Sequence, residues 1–143
     1  MGRAAKILND ARQARVDLER AENRLEMIRA RYGLGSPVLS WAPGGSGGRD
    51  LSVYMAQAEQ TVQQRDTAAG HYESARNTAL DVLSGCRNAQ ARQMLTLIYI
   101  DGIPEADAYR KCGREYTSGW ITCRREIERL DRLLPAPPAT PQG

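Results

Sequence analysis

The sequence predicts an all-α protein: a long antiparallel helical hairpin, resembling a coiled-coil arm, followed by a small three-helix domain that contains a helix-turn-helix. Three observations predict it. Residues 3–32 and 50–84 both place apolar or small side chains at alternating steps of three and four. After Ser84 the pattern breaks into short helical pieces punctuated by glycine and proline. The last of these pieces is rich in arginine and ends at Pro135.

The first segment, Arg3 to Tyr32, is helical by period. Ala11, Ala14, Leu18, Ala21, Leu25, Ile28 and Tyr32 follow the heptad steps of a coiled-coil seam. Ile7 and Leu8 extend the stripe upstream. Charges of both signs between these positions form a solvated face. The alanines of the seam require the partner helix to come close. Gly33 is the expected helix end. The stretch GLGSPVLSWAPGGSGGRD, Gly33 to Asp50, reads as a loop. Its Trp41 is expected to fold back on the hairpin or to meet a partner.

The second long helix is expected from Asp50, as N-cap, to about Ser84. Leu51, Tyr54, Ala58, Thr61, Arg65, Ala68, Tyr72, Ala75, Ala79 and Val82 keep heptad steps, and Met55, Val62, Ala69 and Leu83 widen the stripe. Gly70 weakens the middle by roughly 1 kcal/mol relative to alanine. Two long helices joined by a loop pair antiparallel. The pairing forms within one chain or between chains of a dimer. In either case Leu18, Leu25, Ile28, Tyr54, Val62 and Tyr72 are the seam.

Residues 85–134 form the predicted second domain. Asn88 is the expected cap of a third helix that buries Ala91, Met94, Leu95, Leu97 and Ile98. The IDGIP stretch makes a turn, with Gly102 supplying a permissive backbone and Pro104 opening the next helix. That helix runs to Cys112 and closes at Gly113. Thr117 is the expected cap of the last helix, 117–134, whose inward stripe is Trp120, Cys123, Ile127, Leu130 and Leu134. Residues 135–143 are expected to be a disordered proline-rich tail.

The net charge of +3 does not by itself announce a nucleic-acid partner; its placement says a little more, and fits either a phosphate-binding face or a solvated basic helix face. Between Arg110 and Arg125 stand Arg110, Lys111, Arg114, Arg124 and Arg125 against the single acid Glu115. No run is long enough to cross a bilayer, and no apolar signal core follows Arg3 and Lys6. Three cysteines, Cys86, Cys112 and Cys123, without a C-x-x-C pair suggest reduced thiols, hence a cytoplasmic setting. His71 is the single histidine and lies far from them, which argues against a metal centre. No catalytic motif is present, so neither an enzyme nor a cofactor is expected.

A helix-turn-helix needs a support helix, a short first helix with a sharp turn, and a second helix showing polar side chains near its start. Residues 87–134 provide these parts. With the expected stripe inward, Ser118, Gly119, Thr122, Arg125 and Arg129 face outward as candidates for base contacts in a major groove. Arg110, Lys111, Arg114 and Arg124 are candidates for phosphate contacts.

The run MLTLIYIDGIPEADAYRKCG followed by TSGWITCRREIERLDRL resembles region four of a sigma factor. With a charged helical arm before it, the chain resembles small phage transcriptional regulators of the ArpU and RinA type. The resemblance implies a double-stranded DNA-binding regulator from a phage or prophage, acting in a bacterial cytoplasm, with RNA polymerase as a further partner. A homodimer is expected, because palindromic half-sites go with helical arms. The chain departs from the pattern in two places. Arg114, Glu115 and Tyr116 lengthen the turn before Thr117, which shifts the base-facing assignment by one or two residues. Tyr109 stands where a small residue is usual. DAYRKCG also resembles the DNA module of phage small terminase subunits, although the order of modules is reversed. The alternative class is a protein-interaction module, binding RNA polymerase or a defence nuclease, with the C-terminal helices as scaffold.

Overall fold

The computed structural model describes residues 2–31 and 47–135. The expectations for Tyr32, Gly33, Trp41 and the tail after Pro135 fall outside the described residues. The described residues are mostly helical and contain no strand. The elements are α1 (Arg3–Arg31), α2 (Gly47–Leu83), α3 (Ala89–Leu95), a π-helical turn (Thr96–Ile100), α4 (Glu105–Lys111) and α5 (Tyr116–Leu133). The chain divides into two compact units, residues 14–73 and residues 1–13 with 74–143. The sequence pattern places its boundary at Ser84. Packing instead groups the start of α1 and the end of α2 with the C-terminal helices, because Leu8, Ala79 and Leu83 share their core.

In the unit of residues 14–73, most of the heptad positions turn inward. Ala14, Ala21, Leu25, Tyr54 and Thr61 are buried within a single chain. Leu18, Ile28, Val62 and Tyr72 are half-buried. Arg24 Nη1 of α1 donates to Gln64 Oε1 of α2 at 3.2 Å. The small alanine side chains let the helices approach, and Thr61 returns its hydroxyl to Gln57 O at 2.7 Å, which satisfies it inside the seam. Leu51 and Met55 are exposed, so the apolar stripe of α2 is narrower at this end than its sequence suggests. α2 begins at Gly47, which puts Asp50 inside the helix instead of at its cap.

The other unit is built around Ala4, Leu8 and Ala11 of α1, Ala79, Val82 and Leu83 of α2, and Met94, Leu95, Ile98, Tyr109, Cys123 and Leu130 from the C-terminal elements. α2 stops at Leu83, before Ser84 and Gly85. Asn88 caps α3: its Oδ1 accepts from Gln90 N at 3.0 Å and Ala91 N at 3.1 Å. Asp131 of α5 accepts from Ala4 N at 2.6 Å and so places a carboxylate on the first turn of α1. The π-helical turn after α3 closes with Asp101 N donating to Thr96 O at 3.0 Å. The wider turn lets Ile100 join Ile98 in the core, where an α-helical spacing would part them. Gly102 and Gly113 both have φ of 71°, the left-handed backbone that glycine adopts without strain and that each turn here requires.

Candidate nucleic-acid interface

α4 and α5 meet through Gly113. Arg114 N donates to Tyr109 O at 2.8 Å, and Gly113 N to Arg110 O at 3.0 Å, so the backbone itself closes the turn. α5 starts at Tyr116, one residue before the expected cap, with Glu115 as the flanking residue. The hydroxyl of Tyr116 donates to Glu105 Oε2 at 3.1 Å, and its ring meets the Tyr109 ring edge-on at 5.4 Å. Both contacts tie the start of α5 to α4.

The buried row of α5 is Gly119, Cys123, Glu126 and Leu130, with Ile127 half-buried beside it. The sequence pattern expects Trp120 in that row. Trp120 is instead 42% exposed, and the Arg124 guanidinium lies over its ring at 5.0 Å. The cause is the pair Tyr109 and Gly119. A Cβ at position 119 would stand 2.5 Å from both Cγ and Cδ1 of Tyr109. The bulky residue of α4 therefore fits only because α5 has no side chain at that point. This also corrects Gly119 as an outward residue: it is buried and faces no groove.

Glu126 is buried because three donors surround it. Its Oε1 accepts from Arg87 N at 2.9 Å and from Arg129 Nε and Nη2 at 3.1 and 2.7 Å. Arg129 Nη2 also donates to Gly85 O. Arg129 is thus committed to joining α5 to the start of the α3 loop, and it is removed from the set of free base-contact candidates. Burial pushes the Cys86 thiol up to about 11 and the Cys123 thiol up to about 12, so both stay protonated at neutral pH. Among the described residues no group of His, Cys, Asp and Glu gathers as a metal site.

Arg114 is also used inside the protein. Its Nε donates to Gln90 Oε1 at 2.8 Å, and its Nη1 to Ser118 Oγ at 2.8 Å and Thr122 Oγ1 at 3.4 Å. Gln90 Nε2 completes the strut by donating to Cys112 O at 2.7 Å. Ser118 and Thr122 are half-buried by this network and do not project freely. Arg114→Ala should therefore lower stability by about 1–2 kcal/mol through the loss of hydrogen bonds to a charged group. Urea melts of the two proteins check this.

In the N-terminal half of α5 one outward row remains free. At 100° per residue, Thr117, Ile121 and Arg125 stand opposite the buried row, and all three are exposed. The side chains of Thr117 and Arg125 make no polar contact among the described residues. Lys111 is exposed at the end of α4, and Arg110, also exposed, forms a 3.4 Å ion pair with Asp107. Arg124 pairs with Glu128 at 3.3 Å. Of the base-contact candidates, Arg125 alone is exposed and unengaged; of the phosphate candidates, Arg110, Lys111 and Arg124 lie at the surface. The sequence pattern sets the outward row one residue further along, at Ser118 and Thr122, and so gives Thr117 only a capping role and omits Ile121. The lengthened turn was the available signal for that shift. No helix among the described residues is long and apolar enough to cross a membrane. No family model matches this chain, and no curated protein or solved structure matches it.

Proposed function

We propose that the protein is a sequence-specific, double-stranded DNA-binding regulator of transcription that places the N-terminal half of α5 in a major groove. The observation that carries this reading is the exposed row Thr117–Ile121–Arg125, which follows a tight, internally braced turn. Arg114, Ser118 and Thr122 hold the turn from one side, and Tyr109 packed on Gly119 holds it from another. Rigid presentation of a few side chains is what base reading needs. Lys111 and Arg110 flank the row with positive charge suited to phosphates. The origin in a phage or prophage and the RNA polymerase partner belong to the same proposal and rest on the resemblance to the ArpU and RinA type; the homodimer belongs to it too and rests on the match of helical arms with palindromic half-sites.

The test is selection from a random duplex pool at physiological salt, followed by titration of the selected site. Arg125→Ala should weaken that site by about 1–3 kcal/mol and relax the preference at one position. Lys111→Ala should weaken all sequences about equally and reduce the salt slope by about one. If no sequence is enriched and all binding disappears at physiological salt, the DNA reading is wrong. A second reading, a protein-interaction module, has its own support in Trp120. Its exposed ring lines a cavity of about 440 Å³ with Tyr99, Tyr109 and Ile127. Under that reading, Trp120→Ala abolishes capture of the partner while DNA selection stays absent.

A further inference from the structure

Among the described residues, Ile121 belongs to no apolar cluster of the fold. It is 37% exposed on a helix whose core row lies on the opposite side. It is not part of the buried cluster, nor does it line the cavity beside Trp120. Its neighbours along the same row are Thr117, one turn before, and Arg125, one turn after. Successive members of this row are about 6 Å apart along the axis, against about 3.4 Å per base pair of duplex. A branched aliphatic side chain between a hydroxyl and a guanidinium has one good partner in a major groove. That partner is the 5-methyl group of thymine, the apolar feature the groove edge presents.

We infer that Ile121 reads a thymine methyl group, and that the cognate site carries this thymine within one to three base pairs of the base contacted by Arg125, guanine being the usual major-groove partner of arginine. The inference rests on the proposed DNA-binding function and adds to it the composition of the site. The charge pattern supports duplex DNA as the occupant of this face. Arg125 lies in the row and Lys111 stands at the adjoining turn, both exposed and without a polar partner among the described residues. An apolar protein surface docking on Ile121 would leave Arg125 and Thr117 buried against it without partners.

The experiment replaces each thymine of the selected site, one at a time, with deoxyuridine, which keeps the base pair and removes only the methyl group. Wild-type protein should lose about three- to fivefold in affinity at one thymine per half-site, the loss expected for one buried methyl. Ile121→Ala should bind the thymine and deoxyuridine sites equally well, and Ile121→Val should retain most of the discrimination. Circular dichroism of each variant controls for folding. A selected site at which no deoxyuridine substitution separates wild type from Ile121→Ala overturns the inference and leaves the DNA reading standing. Failure to select any site overturns both.

Discussion

Glu126→Ala is expected to lower the unfolding free energy by about 3 kcal/mol. The carboxylate accepts from Arg87 N and from two nitrogens of Arg129, and all of these sit at the junction between α5 and the loop leading to α3. Alanine leaves the Arg129 charge, 22% exposed, without its counter-ion and the Arg87 amide without an acceptor. Removing one member of a buried pair costs about 3–5 kcal/mol. The partial exposure of Arg129 brings the expectation to the lower end. Chemical unfolding followed by circular dichroism measures it, and a loss below about 1 kcal/mol would show that the junction is held elsewhere.

The same residue makes stability depend on pH. Burial, the largest single influence on Glu126, raises its pKa. The hydrogen bonds from Arg129 and Arg87, with the positive charge of Arg129, together outweigh burial and hold the carboxyl below its usual value of 4.5. With a depressed folded pKa, the unfolded chain takes up the proton first as pH falls. The contribution of Glu126 is therefore complete above about pH 4.5 and is lost as pH falls through the folded value. Glu126→Gln keeps the shape and one acceptor, and its melting temperature should fall less steeply than that of wild type between pH 5 and pH 3.

Gly119→Ala is expected to cost about 2–3 kcal/mol, a large effect for the addition of one methyl group. The new Cβ would lie 2.5 Å from two ring atoms of Tyr109 and 3.0 Å from its Cβ. Tyr109 is 2% exposed and Tyr116 packs edge-on against its ring, so relieving the clash requires the ring to swing toward the neighbouring cavity or α4 to shift. Overpacking of this kind costs about 1–3 kcal/mol, and forcing α4 and α5 apart places it at the upper end. A glycine in a helix interior otherwise gains stability on replacement by alanine, so the sign of the change is diagnostic. Thermal melts should show a drop of several degrees. The double variant Tyr109→Ala/Gly119→Ala should lose less than the sum of the two single losses, because the clash is gone.

The two predictions mark where sequence and structure part. Helical periods, the heptad seams around Leu25 and Tyr54, the Asn88 cap and the turns at Gly102 and Gly113 were legible in the sequence. They depend on residues close together in the chain. A 3.6-residue period, a cap three residues from the amide it serves, and a glycine with positive φ are local physics. Which side of α5 turns inward was not legible. By hydrophobicity the row of Trp120, Cys123, Ile127 and Leu130 is the better stripe, and it fails at Trp120. Gly119 is inward because Tyr109, ten residues away, fills the space. Glu126 is inward because Arg87 and Arg129 supply donors that compensate its burial. The basic residues follow the same rule. Arg114, Arg125 and Arg129 are equivalent as letters, yet two are consumed by contacts within the fold and Arg125 is left exposed. The sequence by itself determined the helices and where they start and stop to within a few residues. The tertiary structure alone decided which side chains each helix hides, because burial depends on partners brought together from distant parts of the chain.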